Sequence, residues 1–305
     1  MLDWIADLMG ARRARRGARI QSLWRGYGEL FRVELDGGSV PTAIVKWVRP
    51  PATADSVSDA RKRRSYEVEG TFYRDCAART DDTCRVARLY GSRTVGDERM
   101  FVIEDLDAAG FPIRHHDAGP TGLAACLRWL AAFHARFLAD PCDGLWPEGT
   151  YWHLATRKSE LTVIEDTALR GLAPALDARL AAARFQTLLH GDPKEANFCF
   201  ARDDQRVAAV DFQYAGRGCA MKDVAYLLHG RADDDERELA FYFAQLRAAQ
   251  PAADLDALEA EWRELYPIAR LDFCRFLAGW HPAAWQRDRR GQHEVQLAIR
   301  QRPTL

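Results

Sequence analysis

The sequence predicts an α+β fold in two parts, a small antiparallel β-sheet with one helix followed by a mostly helical remainder. Short β-like runs broken by glycine fill residues 20–49, and apolar residues recur at helical spacing from Leu123 onward. The change of character falls near Glu104 to Ala109, ahead of the Gly110 and Pro112 turn region. Two domains are therefore expected, residues 1–106 and 107–305.

The β-like runs are Ile20 to Trp24, Glu29 to Leu35 and, after Asp36-Gly37-Gly38, Thr42 to Val48; Pro50-Pro51 stops the last. Ser65 to Arg79 reads as a helix carrying Tyr66, Phe72, Tyr73 and Cys76, and a strand pair follows near Cys84 to Tyr90 and Arg99 to Glu104. Leu123, Leu127, Leu130, Phe133 and Phe137 then mark a long helix.

With 305 residues, 48% hydrophobic and 29% charged, the chain has the usage of an ordinary globular protein and length enough for a bilobed one. Its 43 basic and 44 acidic residues nearly cancel, which removes the field that a general nucleic-acid binder uses. Seven scattered cysteines contain no C-x-x-C pair, as expected of reduced thiols in the cytoplasm. The N-terminus has the reverse order of a secretory signal, and no uncharged apolar run approaches the ~18 residues of a membrane span, so neither export nor membrane anchoring is expected. Arg12, Arg13, Arg15, Arg16 and Arg19 read as a solvated helix face.

The sharpest local pattern is His190-Gly191-Asp192-x-x-x-x-Asn197, followed 14 residues later by Asp211 in Val210-Asp211-Phe212-Gln213. These residue types suit phosphoryl transfer. Asp192 can orient a substrate hydroxyl and accept its proton, while Asn197 and Asp211 offer the hard oxygen ligands that Mg2+ prefers. Lys194 can offset charge that builds on the transferred phosphate.

The first third supplies parts that would hold ATP. Gly26 and Gly28, between two β-like runs, would let backbone amides approach phosphates. Lys46 lies inside the apolar strand Ala43 to Trp47, where a buried ammonium requires an anionic partner. Glu67 and Glu69 on the next helix are the candidates, and Glu69, beside the apolar stripe, is favoured. Backbone groups of Glu104 and Leu106, at the end of the strand Phe101 to Leu106, would meet the adenine edge. Asp223 reads as a helix N-cap that can also brace the catalytic loop. Asp233 to Glu236 reads as an acidic helix start, with attraction of a polycation as the alternative.

In this order the residues resemble the aminoglycoside phosphotransferase and choline kinase superfamily over roughly residues 20 to 230, most nearly its ecdysteroid-kinase-like (choline-kinase-like) branch. The resemblance implies a two-lobed protein-kinase-like fold, with nucleotide bound by residues 1–106 up to a hinge and a helical lobe, residues 107–305, carrying the catalytic loop and substrate pocket. It also implies a base at Asp192, metal ligands at Asn197 and Asp211, a phosphate-binding Lys46 and an adenine hinge at Glu104 to Leu106. Gln213 stands where protein kinases carry glycine, and no Ala-Pro-Glu motif follows, which points from a protein to a small hydroxyl compound as acceptor. Its pocket would draw on Tyr226, His229, Trp262, Tyr266, Phe273, Trp280 and Trp285, unless these are core. A catalytically silent nucleotide-binding module is the alternative, which the filled positions Lys46, Asp192 and Asp211 disfavour.

Overall fold

The computed structural model describes residues 1–51, 57–231, 235–250 and 254–300. Contacts gather them into two compact units, residues 1–125 with 196–213, and residues 126–195 with 214–305.

The first unit begins with α1 (Leu2–Leu8), β1 (Arg13–Ser22), β2 (Gly28–Asp36), β3 (Thr42–Val48), α2 (Val57–Thr71), β4 (Leu89–Val95) and β5 (Glu98–Glu104). The strands form one antiparallel sheet in the order β1-β2-β3-β5-β4. Alternation along β3 decides what each face buries. Ala43 and Val45 join Phe31, Val33 and Val102 in a core that Ile5 and Ala6 of α1 and Met9 just after it complete. Lys46, one residue on, stands on the opposite face and meets Glu69 of α2.

Three expectations are corrected. The basic stretch is not a helix face but the edge strand β1, because its partners lie across the sheet: Arg15 reaches Glu34 at 2.6 Å and Arg12 reaches Asp36 at 2.9 Å. The helix expected from Ser65 begins at Val57, and residues 72–79 continue it as a π turn and a 3-10 turn rather than as α-helix. Cys84 belongs to a short 3-10 turn capped by Asp81, so the strand begins only at Leu89.

α3 (Pro120–Arg136) carries the chain onward to α4 (Lys158–Thr162), α5 (Thr167–Ala181) and the short strand β6 (Thr187–Leu189). The chain returns to the first unit for the hairpin β7 (Phe198–Phe200) and β8 (Val207–Ala209), which lone bridges fasten at Val86 and Ile113. It ends in the second unit with β9 (Gly216–Gly218), α6 (Met221–Leu228), α7 (Asp235–Ala249), α8 (Leu255–Trp280), α9 (Pro282–Trp285) and α10 (Arg289–Arg300). β6 pairs with β9, and one core joins Leu169, Leu172 and Leu176 of α5 to Leu271 and Cys274 of α8 and Val295 of α10. Among the described residues no helix is long and apolar enough to cross a membrane. All seven cysteines are buried and none is in a disulfide.

Lys222, on α6, is 1% exposed, and its ammonium is bonded to Glu148. Burial raises the Glu148 carboxyl, but the His153 hydrogen bond and the Lys222 charge outweigh it and bring it down to about 2. A depressed carboxyl adds stability that is complete above its ordinary value of 4.5 and is lost as pH falls toward about 2. Glu148→Gln, which strands the ammonium, is expected to cost ~3–5 kcal/mol at neutral pH. Urea unfolding followed across pH should show that deficit shrinking as the wild-type carboxyl itself protonates.

Candidate active site

In the first unit the residues singled out by sequence converge on Lys46. Its ammonium, on a residue 7% exposed, lies 2.7 Å from Glu69 Oε1 and 3.1 Å from Asp211 Oδ1. Burial opposes the charged form, but Asp211 and then Glu69 outweigh it and hold Lys46 above its ordinary value. Burial pushes Glu69 up while Lys46 pulls it down. Glu67 faces elsewhere, toward Arg99 at 2.8 Å, with a side chain 42% exposed.

Asp211 is fixed from several directions. It adopts a left-handed φ of 70°, a conformation that costs a non-glycine residue about 1–3 kcal/mol and persists only where its surroundings impose it. Phe212 supplies part of that hold, stacking on Phe72 at 3.7 Å and meeting Tyr73 edge-on. The π turn after α2 thus places two rings around the residue that follows Asp211. Gln213 supplies more: its amide donates to Asp211 Oδ1, while its Oε1 accepts from Lys62 at 2.7 Å and Ser65 at 3.1 Å. The Asn197 carbonyl accepts from Val210 N–H at 2.9 Å, which ties the end of the loop to the residue before Asp211.

The glycine turn and the hinge are as much structural as open. Gly28 must be glycine because a Cβ there would meet the Trp47 carbonyl oxygen at 1.9 Å; the close approach is to β3 itself. Gly26 has nothing comparable within 4 Å. At the expected hinge, Glu104 N–H already donates to Arg88 O and Leu106 O accepts from Phe111 N–H, each at 2.8 Å. Those two backbone groups are used within the fold, not presented outward. The Glu104 carboxylate is engaged by Arg85 and the Asp105 carboxylate by Arg32.

In the second unit Asp192 is buried, with Lys194 Nζ 3.0 Å from its Oδ2. The Tyr226 hydroxyl bonds both Asp192 and Tyr151; burial, then the Asp192 charge, raises that phenol, so Tyr226 keeps its proton as a donor. Around this pair lie Tyr214, Phe276 and Trp280, each near Tyr151. Trp280 is 48% exposed, whereas Trp262, Tyr266 and Phe273 are buried in the core. Sequence reading missed Tyr151 and Tyr214, for which no local pattern exists.

The loop carrying Asp192 is held by Asp223. Its two oxygens accept His190 N–H at 2.7 Å and Gly191 N–H at 3.1 Å, and His134 stands 3.3 Å away. Asp223 is not the N-cap of α6, where Ala220 makes no side-chain cap. At Gly191, φ is 83° and a Cβ would meet the Tyr214 carbonyl oxygen at 2.1 Å. Of the acidic run, Asp233 and Asp234 lie outside the described residues. Asp235 is taken by Arg270 and Arg290, and Glu236 by Arg263.

A profile of the Phosphotransferase enzyme family matches residues 20–265. The chain belongs to that family. This phosphotransferase is thus an enzyme of kinase type, and solved structures show the same fold. It is similar to the choline kinase LicA of Streptococcus pneumoniae, with 14% identity over 98% of this chain and 95% of that one and a TM-score of 0.51. It is also similar to an ethanolamine kinase of Plasmodium vivax, with 13% identity over 93% and 82% and a TM-score of 0.50. A search of the curated proteins finds no significant match.

Removing the brace tests the loop. Asp223→Asn replaces a charged double acceptor facing two buried N–H groups and is expected to cost ~2–3 kcal/mol in urea unfolding. Gly191→Ala, which drives a methyl into the Tyr214 carbonyl, should be at least as damaging.

Proposed function

We propose that this phosphotransferase moves the γ-phosphate of ATP to a hydroxyl of a small molecule, with Mg2+. The observation that carries this reading is the buried Lys46 ammonium in contact with both Glu69 and Asp211. A lysine so placed has its charge secured and its position fixed for binding triphosphate oxygens. In this reading residues 1–106 serve the nucleotide, with the turn at Gly26 and Gly28 near the phosphates and, at the adenine, backbone groups of Glu104 to Leu106 other than the engaged Glu104 N–H and Leu106 C=O. Residues 107–305 serve catalysis and the acceptor.

The donor set fits magnesium. Asp211 offers a carboxylate 35% exposed and Asn197 an amide oxygen, both hard ligands. These two residues would hold the ion, which when bound supplies positive charge against the triphosphate.

Asp192 accepts the proton of the acceptor hydroxyl as its oxygen bonds the γ-phosphorus, and the bond to the bridging oxygen breaks to release ADP. Tyr226, donating to Asp192, holds the carboxylate in position. Lys194, beside it, offsets charge on the phosphoryl group in flight.

The rings of Tyr151, Tyr214, Tyr226, Phe276 and Trp280 favour an acceptor with an apolar or cationic face close to its hydroxyl. Seven buried cysteines without a disulfide support work in a reducing, cytoplasmic setting.

Labelled ATP supplied with a library of hydroxyl compounds tests the proposal. Asp192→Asn is expected to lower phosphate transfer by about 10²–10⁴-fold while ATP still binds. Asp211→Ala is expected to weaken nucleotide binding in the presence of magnesium and to leave it little changed without. Equal turnover by wild type and Asp192→Asn would sink the proposal.

A further inference from the structure

We propose that His229, Cys274 and Asp288 form a binding site for one zinc-class divalent ion, separate from the residues assigned to phosphoryl transfer. The three come from different segments of the second unit: His229 follows α6, Cys274 lies in the buried part of α8, and Asp288 lies between α9 and α10. One ligand atom from each falls within 4.8 Å of the other two, and His229 Nε2 is 3.3 Å from Asp288 Oδ2. Around a tetrahedral zinc ion with bonds near 2.0–2.3 Å, neighbouring donors stand about 3.5 Å apart. A small contraction brings the trio to that geometry, with water as the fourth ligand.

One observation beyond proximity points to an ion. Asp288 Oδ1 accepts from Gly291 N–H at 2.8 Å, but Oδ2, the atom turned to His229, is buried without a hydrogen-bond partner among the described residues. Gly291, in the first turn of α10, lets the Asp288 carboxylate pack close beside Cys274: a Cβ there would meet Asp288 Oδ2 at 2.2 Å and Cys274 Sγ at 3.0 Å.

The chemistry agrees. A thiol, an imidazole and a carboxylate select zinc-class ions over magnesium. Burial lowers His229 from its ordinary value, against the opposing charge of Asp288. Burial also pushes the Cys274 thiol up, and at 0% exposure that thiol is no nucleophile open to substrate.

The surrounding charges are already matched, since Arg270 and Arg290 each pair with both Asp235 and Glu294. Binding exchanges the thiol proton for the metal, so thiolate and Asp288 together neutralise the dication and one proton is released. By contrast, the cluster Glu148, His153 and Asp177 already has the Lys222 ammonium on Glu148.

The test uses the full-length chain, reduced and stripped of metal, titrated with Co2+ as a spectroscopic probe. The expected result is thiolate-to-cobalt charge-transfer absorption that saturates at one ion per chain, is displaced by Zn2+ and is absent in Cys274→Ser. Asp288→Asn, which keeps the shape, is expected to lower Zn2+ affinity at least tenfold with its circular dichroism unchanged. Cobalt held by Asn197 and Asp211 has only oxygen ligands and gives no such band, so failure of the kinase assignment leaves this result unaffected. No charge-transfer band in wild type, the same band in Cys274→Ser, or unchanged Zn2+ affinity in Asp288→Asn would each overturn the site.

Discussion

One ammonium group organises the first unit. Lys46 is carried into an apolar interior by β3, where an unpaired charge would be prohibitive, and it is tolerated because Glu69 and Asp211 close on it from two other segments. That requirement fixes α2 against the sheet and fixes the segment after β8 against α2. Phe72 stacked on Phe212, and Gln213 bonded to Lys62, Ser65 and Asp211, repeat the same join with apolar contacts and amide hydrogen bonds. The left-handed backbone at Asp211 is held in place by these contacts.

The second unit solves a different problem with a similar device. The loop at His190 and Gly191 turns its N–H groups inward, and a buried carboxylate answers them. Asp223 sits on α6 next to Lys222, whose own charge is answered by Glu148. The position of Asp192 therefore depends on two adjacent buried charges of opposite sign, each satisfied by a partner far away in sequence.

What the sequence made legible was local. A short apolar run around Lys46 and glycine-bounded segments located β2 and β3, and the spacing from Asp192 to Asn197 and Asp211 singled out the residues that the structure places at the loop and beside Lys46. What it hid was pairing at a distance. Five arginines in a short stretch suit a solvated helix until Glu29, Glu34 and Asp36 are seen opposite them on β2. Asp223 had the offset of a capping residue, and of its two expected roles the fold keeps only the brace on the loop. Tyr151 joins Tyr226 across many residues with no motif of its own, and the π turn after α2 leaves no signature in a sequence that reads as continuous helix.

The arginines of β1 have one more effect. β1 lies at the end of the sheet order, where a strand with free backbone groups would ordinarily accept another strand from a second molecule. Arg13, Arg15 and Arg19 are exposed along it, and the register slips at Arg16 and Arg19 break the even row of donors and acceptors that an added strand would need. A newcomer would have to strip water from several guanidinium groups while matching an irregular ladder. The margin of the sheet is thereby closed to growth by charge and misregister.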